Sequence, residues 1–257
     1  MPEGDTIHRA AAGLANAIET AQVMRFEVPR LRARTLPQAG ERVDRVRARG
    51  KHLLIRCSGG LTLHTHMRMN GSWHLYRPGE RWRRPRGAMV VTIGTGDVEA
   101  VCFSAPVVEV LRDDELARHP VLAALGPDLC VADVDLDEVH ARLDAVDPAT
   151  EIGDCLLDQK VAAGIGNVYR AEVAWACAVD PFRRVSDIDD ATRHELYATA
   201  SRLLRANLGT WRRTTVPGGL AVYERAGRAC PRCGGTIVTR RQGDQARSVW
   251  WCPGCQR

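Results

Sequence analysis

The segment CPRCGGTIVTRRQGDQARSVWWCPGC, residues 230–255, decides how the C-terminal end of this chain folds. Cys230 and Cys233 form one Cys-x-x-Cys pair, and Cys252 and Cys255 form a second pair after 18 intervening residues. Two such pairs supply four thiolates to one tetrahedral ion, and zinc is the usual ion in a reducing compartment. We therefore expect one structural Zn²⁺, with two disulfides or an iron centre as the alternatives.

The residues between the two pairs predict a β-hairpin that the ion holds together. TIVTRR (236–241) and SVWWC (248–252) have the β-branched and aromatic content of strands, and the polar stretch QGDQA (242–246) joins them. Arg247 is therefore expected near the tip of the hairpin.

Positive charge is concentrated at the same end of the chain. The formal net charge is +5, but residues 201–257 alone hold 11 arginines against two acids. A second basic cluster, RPGERWRRPR at 77–86, interleaves five arginines with one tryptophan. Patches of this kind suit a polyanion such as nucleic acid, and the alternative is that the arginines only cover solvated faces.

A glycine-rich turn interrupts the helical pattern of LLDQKVAAGIGNVYRAEVAW, residues 156–175. Gly164 and Gly166 permit a sharp turn, and the backbone N–H groups that open the next helix can bind a phosphate. Asn167 is expected either to cap that helix or to donate to the same phosphate. An ordinary helical hairpin is the alternative.

The N-terminal half combines one helix with a sheet. The helix is predicted to start after Asp5, a plausible N-cap. Its apolar face is formed by Ile7, Ala11, Leu14 and Ile18. Between about residues 22 and 112, short alternating segments are separated by Gly, Pro and Ser, which indicates an antiparallel sheet or sandwich with a hairpin turn at Ser58-Gly59-Gly60. Helical patterns return after about residue 113.

Length and composition set the broad class. With 257 residues, 45% hydrophobic and 26% charged, the chain is typical of a soluble globular protein of one or two domains. No apolar run reaches the roughly 18 residues of a membrane helix, and MPEGDTIHR lacks the apolar core of a secretory signal, so we expect a cytoplasmic protein. The five cysteines outside the two pairs are predicted to be reduced core thiols. They are Cys57, Cys102, Cys130, Cys155 and Cys177.

The first residues carry a candidate nucleophile. Removal of Met1 leaves Pro2 with a secondary amine whose unperturbed pKa is about 8. Attack of that amine on an aldose-like carbon gives an iminium, which acidifies the neighbouring C–H bond and drives elimination. Glu3 beside it can donate or shuttle protons. The alternative is an ordinary processed N-terminus.

Five motifs together carry a family resemblance. They are MPEG at 1–4, RGKHLL at 49–54, HMRMNGSW at 66–73, LLDQ…GIGNVYRAE at 156–172, and C-x2-C…RSVWWCPGCQ at the end. In this order they closely resemble the formamidopyrimidine-DNA glycosylase and endonuclease VIII family of base-excision repair, over essentially the whole chain.

The resemblance implies an α+β fold in three parts. An N-terminal antiparallel β-sandwich with flanking helices would span 1–125, a helix-two-turn-helix domain 126–222, and a zinc-finger β-hairpin 223–257. The implied partner is double-stranded DNA that contains oxidised bases or abasic sites and is bound in the cleft between domains. We expect a monomer with no membrane partner.

The resemblance also implies roles for individual residues. Pro2 would be the Schiff-base nucleophile, and Glu3 the acid that assists ring opening and proton transfers. Lys51, one of only two lysines, would contact phosphate and assist β-elimination. Arg247 would grip a flanking phosphate and assist δ-elimination.

Further residues match the DNA-binding positions of the family. His66 and Asn167 match phosphate ligands. Met69 falls where the family inserts a side chain into the base stack after base flipping, with Arg68 and Asn70 beside it. A hairpin core position is the alternative for Met69.

The branch of the family is indicated by two further segments. VCFSAPVVEVL (101–111) lacks the Arg-Phe pair with which the formamidopyrimidine branch reads the opposite cytosine, and DELARHPVLAALGPD (114–128) is similar to the endonuclease VIII branch. Oxidised pyrimidines are therefore the expected lesions. A glycosylase of the same fold for 8-oxoguanine or formamidopyrimidines and a non-catalytic damaged-DNA-binding zinc-ribbon protein are the alternatives.

The chain departs from the family pattern near its start and at one DNA contact. Asp5-Thr6 stands where many members have Pro-Glu, so Asp5 is a candidate substitute for the missing second acid. Ala124 replaces a basic contact residue found in some endonuclease VIII proteins. Glu172 matches a family acid near the site, and we expect its role to be structural.

Overall fold

The computed structural model describes residues 2–31 and 35–257, and the chain groups into two compact units. The first unit comprises Met1–Pro2 and Thr6–Ala124, and the second comprises Glu3–Asp5 and Leu125–Arg257. The finer division of the second unit into a helical domain and a separate finger at residue 223 stays a prediction.

Eight strands of the first unit form two antiparallel four-stranded sheets. In chain order they are β1 (Arg25–Glu27), β2 (Val43–Arg49), β3 (His52–Cys57), β4 (Leu61–His66), β5 (Ser72–Tyr76), β6 (Met89–Gly94), β7 (Glu99–Phe103) and β8 (Val107–Arg112). One sheet has the order β1-β6-β7-β5 and the other the order β2-β3-β4-β8. The antiparallel sheets predicted between about residues 22 and 112 are confirmed, because each alternating segment has an apolar face to bury.

The core of the first unit lies between the sheets and α1 (Gly4–Ile18). The four predicted apolar residues of α1 are at most 4% exposed and belong to one cluster with inward residues of both sheets. The predicted N-cap was wrong: α1 begins at Gly4, so Asp5 lies inside its first turn. The Asp5 side chain makes tertiary contacts instead, as described below.

The turn between β3 and β4 is the predicted one at Ser58-Gly59-Gly60, and Gly60 adopts a left-handed φ of +79°. The antiparallel register of β3 and β4 pairs His52 with His66 and Arg56 with Thr62. Because Leu53, Ile55 and Leu63 enter the core, alternation places His52, Arg56, Thr62, His64 and His66 on the opposite face of the sheet. We call this the outer face. Two short helices, α2 (Asp113–Ala117) and α3 (Pro120–Ala123), follow β8.

The second unit is helical and ends in a hairpin. Its helices are α4 (Leu136–Asp144), α5 (Ile152–Leu157), α6 (Asn167–Ala176) and α7 (Asp190–Ala206). The predicted glycine turn separates α5 from α6, and Gly164 has a φ of +117°. In the described ranges no helix is both long and apolar enough to cross a membrane.

The C-terminal hairpin pairs β9 (Val238–Gln242) with β10 (Arg247–Trp251), so the predicted hairpin is confirmed. Arg247 opens β10 next to the turn, at the position expected for it. One side of the hairpin packs against α6 through a small apolar cluster that includes Trp175 and Ile237. This packing ties the hairpin to the middle and the end of α6.

Candidate functional site

The side chain of Glu3 occupies the N-terminus of α6. Its Oε1 accepts a hydrogen bond from the Val168 N–H at 2.8 Å, and its Oε2 accepts from Gly166 at 3.0 Å and Tyr169 at 3.3 Å. Glu3 has no solvent exposure. Helix N-termini leave N–H groups without intrahelical partners, and a carboxylate both satisfies them and complements the helix dipole. These N–H groups therefore hold Glu3, whereas the sequence predicted that they would be exposed to a phosphate.

The two glycines of the turn are needed for different reasons. Gly164 supplies the left-handed backbone conformation, whereas Gly166 has an extended backbone with φ of −119°. A Cβ added at Gly166 would lie 2.3 Å from the Cδ of Glu3. Gly4 also packs tightly, since its N–H donates to the Gly164 carbonyl at 2.9 Å. The turn and residues 3–5 thus form one closely packed structure.

Asp5 forms a buried ion pair. Arg213 donates from Nη2 to Oδ1 at 2.5 Å and from Nε to Oδ2 at 2.8 Å, and the Tyr169 hydroxyl donates to Oδ2 at 3.0 Å. Burial opposes the charge of Arg213, but the hydrogen bonds with Asp5 outweigh it and raise the pKa of the guanidinium. Burial also raises the pKa of Tyr169, next to the Asp5 carboxylate. Because Pro2 is covalently joined to Glu3, the contacts of Glu3 and Asp5 restrict the Pro2 backbone nitrogen.

Asn167 does not cap α6, which was one of its two predicted roles. The N-cap is Gly166, and the Asn167 Nδ2 donates to the Ser248 carbonyl of β10 at 3.0 Å. Arg170, one turn later, donates to the Asn167 Oδ1, to the same Ser248 carbonyl at 3.0 Å, and to Gln242 at 3.1 Å. Asn167 and Arg170 therefore fix the hairpin against α6.

Arg170 is fully buried and stays charged. Burial lowers its pKa to about 10, and Asp154, 3.9 Å away, acts in the opposite direction. Since the pKa stays above neutrality, the guanidinium donates in its cationic form. The hairpin is thus held by charge-assisted hydrogen bonds in addition to apolar contact.

Arg247 lies exposed at the start of β10. Its Nε donates to the Gln245 Oε1 at 2.9 Å. A cavity of about 540 Å³ lies beside it, lined by the hairpin turn and by α5. The long, exposed side chain has the reach and charge to bind a phosphate.

The four cysteines of the hairpin converge as predicted, and their Sγ atoms all lie within 4.8 Å of one another. The Sγ of Cys230 lies 3.8 Å from that of Cys255, and the Sγ of Cys233 lies 3.4 Å from that of Cys252. A tetrahedral ion with bonds of about 2.3 Å requires sulfurs about 3.8 Å apart. The four thiols therefore fit a zinc-sized ion. Trp175 donates from Nε1 to the Cys230 Sγ at 3.3 Å, which is a typical contact of a metal-binding thiolate.

Glu172 organises the segment that follows α7. Its carboxylate accepts hydrogen bonds from the Ala221, Val222 and Tyr223 N–H groups at 2.7, 2.9 and 2.8 Å and from the Thr215 hydroxyl. Glu172 has no solvent exposure. These contacts explain the expected structural role.

In the first unit, Lys51 is half-buried in the turn between β2 and β3, after Gly50 with a φ of +56°. His66, at the end of β4, stacks edge-on against His52 with ring centroids 4.7 Å apart. Burial, together with the neighbouring Lys51, lowers the pKa of His66 to about 4. Lys51 and His66 therefore lie close together at one end of the outer face.

Met69 is displayed by a tight turn and is 63% exposed, so it is not a core residue. The Gly71 N–H donates to the Met67 carbonyl at 2.9 Å, and Arg68 adopts a left-handed φ of +44°. Asn70 is also exposed, and its backbone carbonyl accepts a hydrogen bond from the Arg84 Nη1 at 3.3 Å. A hydrophobic side chain exposed at the tip of a turn has the shape needed to insert between stacked bases.

A hydrogen-bonded chain of histidines lies behind Lys51 on the outer face. The Leu122 N–H donates to the His119 Nδ1 at 3.2 Å, so the proton of the neutral ring is on Nε2, which donates to Glu109 at 3.0 Å. The His64 Nδ1 donates to the same carboxylate oxygen at 2.8 Å. The His64 Nε2 must then accept from the His52 Nδ1 at 2.8 Å.

These contacts settle the nature of this cluster. His64, Glu109 and His119 are close enough to hold a metal ion, but the helix-capping bond from Leu122 leaves the His119 Nε2 as a donor. The cluster is therefore a hydrogen-bonded chain in which neutral histidine rings donate to the Glu109 carboxylate. Burial is the main cause that lowers the pKa of His64, and it lowers that of His52 to about 3, which keeps both rings neutral.

Sequence reasoning missed the structural partners of the site. Arg213 and Arg170 were counted only as basic residues, although each satisfies a buried polar network. For Arg170 the available signal was its place one turn after Asn167 on the predicted helix, whereas nothing in the sequence around Arg213 indicates its partner Asp5. Cys177, predicted as a core thiol, is only half-buried, whereas the other four are buried.

Two domain families match this chain. Residues 1–106 match the formamidopyrimidine-DNA glycosylase N-terminal domain, and residues 125–216 match the formamidopyrimidine-DNA glycosylase H2TH domain. The first match covers most of the first unit, and the second covers the part of the second unit that precedes the C-terminal hairpin.

Similar proteins cover the full length. The probable endonuclease 8 2 of Streptomyces coelicolor is 42% identical over 264 residues, covering 100% of this chain and 94% of that protein. The DNA-(apurinic or apyrimidinic site) lyase Nei2 of Mycolicibacterium smegmatis is 37% identical and covers 100% and 99%. The Lactococcus lactis Fpg in complex with abasic-site DNA has the same fold, with a TM-score of 0.85, 21% identity and full coverage of both chains.

Proposed function

The chain belongs to the formamidopyrimidine-DNA glycosylase and endonuclease VIII family, and from this membership we propose that it removes oxidised pyrimidines from DNA through a Pro2 Schiff base. As a DNA glycosylase and abasic-site lyase of base-excision repair, it shares the activity named for its relatives. The preference for pyrimidines rests on the missing Arg-Phe pair and on the similarity to proteins named endonuclease 8.

The single observation that carries the proposed mechanism is the position of Glu3. Three backbone N–H groups at the N-terminus of α6 hold its carboxylate immediately after Pro2 in the chain. Hydrogen bonds to the charged form and a helix dipole both favour a carboxylate anion. Glu3 therefore enters the cycle as a base that receives a proton and then returns it to the sugar.

In the first step the lone pair of the Pro2 nitrogen forms a bond to C1′ of the damaged nucleotide. The glycosidic bond breaks and its electron pair leaves with the base, which takes up a proton. The N–H proton of Pro2 then passes to the Glu3 carboxylate, the nitrogen lone pair opens the C1′–O4′ bond, Glu3 returns that proton to O4′, and an iminium joins Pro2 to C1′.

Elimination follows from the iminium, which accepts the electron pair of a neighbouring C–H bond. Loss of a C2′ proton expels the 3′-phosphate, and loss of a C4′ proton expels the 5′-phosphate, so a one-nucleotide gap remains. Hydrolysis of the iminium releases the sugar remnant and restores the Pro2 amine. Lys51 assists the first elimination and Arg247 the second.

Side chains from both units bind DNA in this proposal. Arg247 and Asn167 grip the phosphates that flank the flipped nucleotide, and His66 beside Lys51 binds another. Met69 fills the gap left by the flipped base, with Arg68 and Asn70 beside it. The exposure of Met69 and of Arg247 supports these roles.

The four cysteines hold one Zn²⁺ in this proposal, and its contribution is structural. The ion supplies no chemistry to the reaction, but it fixes the two ends of the hairpin that presents Arg247. The enzyme acts as a monomer on double-stranded DNA.

A substrate panel tests the proposal. Matched duplexes carry thymine glycol, dihydrouracil, 8-oxoguanine opposite cytosine, or an abasic site, and the products are separated by their end groups. We expect cleavage of the two pyrimidine lesions and of the abasic site, with phosphates at both ends of the gap.

Other outcomes lead to the two alternatives. Cleavage of 8-oxoguanine in preference to the pyrimidines would move the protein to the other branch of the family. Binding without cleavage on any duplex would make it a non-catalytic damage-binding protein. Glu3→Gln serves as the matched variant, and we expect it to bind abasic DNA while losing base excision.

A further inference from the structure

On the outer face, strand β2 places arginine side chains next to an arginine of β3. Its register places Arg45 directly opposite Arg56 and places Arg47 opposite Leu54 of β3. Like charges on directly opposite positions of an antiparallel pair repel each other. Burial lowers the pKa of Arg47, and so do the neighbouring guanidinium groups of Arg45, Arg49 and Arg56. This part of the sheet therefore carries a concentrated positive potential.

Most of this charge is not neutralised within the protein. Arg56 forms an ion pair with Asp113 of α2, and its Nη2 donates to the Asp113 Oδ2 at 2.8 Å. Among the described residues, Arg45 and Arg47 form no ion pair and donate no side-chain hydrogen bond. Two guanidinium groups with ten possible donor hydrogens between them thus face a region without a protein acceptor.

A buried hydroxyl points to the same region. Thr62 lies opposite Arg56 on β4 and is only 2% exposed. Within the described part of the chain its Oγ1 has no hydrogen-bond partner. A buried polar group that is not satisfied by protein indicates a bound water or ion.

These groups line one cavity. It has a volume of about 200 Å³ and is lined by Arg45, Arg47, Leu54, Arg56, Thr62 and Leu116. This volume is below the range of drug-sized ligand sites and suits a small ion. The donors are guanidinium groups and a hydroxyl, which are the groups that bind tetrahedral oxyanions.

We propose that the cavity between Arg45, Arg47, Arg56 and Thr62 binds a phosphate oxyanion, with the Thr62 hydroxyl and the arginines as donors. Thr62 and Arg56 lie four residues along their strands from the His66 and His52 pair, or about 13 Å. The site is therefore separate from Lys51 and His66, and it is independent of the proposed reaction. Free phosphate and the phosphate of a DNA backbone share this chemistry.

Thermal unfolding of the full chain with sodium phosphate, against sodium chloride at equal ionic strength, tests binding of the free ion. The variants are Thr62→Val, which removes the hydroxyl but keeps the shape, and Arg47→Gln. Arg118→Gln is the control, because Arg118 is exposed and pairs with Asp114 outside the cavity. We expect phosphate to raise the Tm of wild type and of Arg118→Gln by about 3 °C or more. In Thr62→Val and Arg47→Gln we expect no such rise.

A second measurement separates the two sources of phosphate. Binding of an undamaged duplex is followed as a function of salt for wild type, Arg47→Gln and Arg118→Gln. If the ion belongs to the DNA backbone, free phosphate has no effect and the salt slope of Arg47→Gln alone becomes shallower by about 0.9.

The proposal is overturned if wild type shows neither a phosphate-specific rise in Tm nor a change of salt slope in Arg47→Gln. A rise in Tm with phosphate that is equally large in Thr62→Val and in wild type would also overturn it. In that case phosphate binds elsewhere on the protein and does not contact the Thr62 hydroxyl.

Discussion

Arg213 grips the carboxylate of Asp5 with two parallel hydrogen bonds, although 208 residues separate them in the sequence. The Asp5 side chain is only 2% exposed and that of Arg213 15% exposed. Such a pair fixes orientation, because a planar guanidinium matches a carboxylate in one geometry. Asp5, a candidate substitute for the missing second acid of the family, is engaged here in a buried ion pair with Arg213.

Replacing Arg213 by Met leaves the Asp5 carboxylate buried without a counter-charge. Removal of one partner from a buried ion pair typically lowers the free energy of unfolding by about 3–5 kcal/mol, and we expect a loss of this size. Urea unfolding measures it. Arg212→Met is the matched control, since Arg212 is exposed, and a similar loss in both variants would contradict this assignment.

Replacing Gly166 by Ala displaces Glu3. The added Cβ would lie 2.3 Å from the Glu3 Cδ, so the carboxylate must leave the N-terminus of α6. Misplacement of a catalytic group by about 1 Å costs roughly 10²-fold in rate, and we expect a loss of that order in cleavage of lesion-containing DNA.

Gly13→Ala is the control for this variant. Gly13 lies exposed inside α1, with no atom within 4 Å of an added Cβ. This substitution should leave activity unchanged and raise stability by about 0.5–1 kcal/mol. Full activity of Gly166→Ala would show that the contact between Glu3 and α6 is dispensable.

The buried histidines predict a loss of stability on acidification. Burial lowers the pKa of His52 to about 3, whereas in the unfolded chain it titrates near 6.5. The unfolded state therefore binds the proton first as the pH falls below 6.5. The contribution to stability is complete above that pH, and below it the free energy of unfolding falls by about 1.4 kcal/mol per pH unit for this group.

Unfolding at pH 7.5, 6.0 and 5.0 measures the effect. In His52→Gln we expect the free energy of unfolding to fall less steeply with decreasing pH, because the unfolded state takes up about one proton fewer. An unchanged slope in His52→Gln would mean that this histidine is not held neutral by its surroundings.

The hairpin cysteines predict one metal ion per chain. Cys233→Ser removes one of the four thiolates, and we expect its metal content to fall from one zinc to near none, with weaker DNA binding because the hairpin that carries Arg247 loosens. Metal analysis of the purified protein checks this. Cys177→Ser should retain full zinc, since Cys177 lies outside the cluster. Equal metal content in the two variants would exclude the four-cysteine site.

Local patterns predicted what depends on local chemistry. The apolar face of α1, the turn at Ser58-Gly59-Gly60 and the four clustered cysteines follow from spacing alone. The position of Glu3 does not, because its partners are 163 to 166 residues away. Glycine patterns showed a turn at Gly166, but the reason for that glycine is the distant carboxylate.

Two predicted roles failed for a common reason. Asp5 is a favoured N-cap residue and Asn167 a favoured cap as well, so local propensity placed both at helix ends. Tertiary partners compete for the same side chains. Arg213 and Tyr169 bind Asp5, and Arg170 and β10 bind Asn167. Stronger charge-assisted contacts outweigh caps that contribute only about 1 kcal/mol.

The central claim is that the amine of Pro2 attacks the sugar, and borohydride trapping tests it most directly. The Met-processed, untagged protein is reduced on a duplex with thymine glycol, and the covalent adduct is digested and mapped by mass spectrometry. Besides the N-terminus the chain has only two amines, those of Lys51 and Lys160. We predict an adduct confined to the peptide that begins at Pro2. An adduct on Lys51 or Lys160, or no adduct with a duplex that is nevertheless cleaved, would contradict the claim.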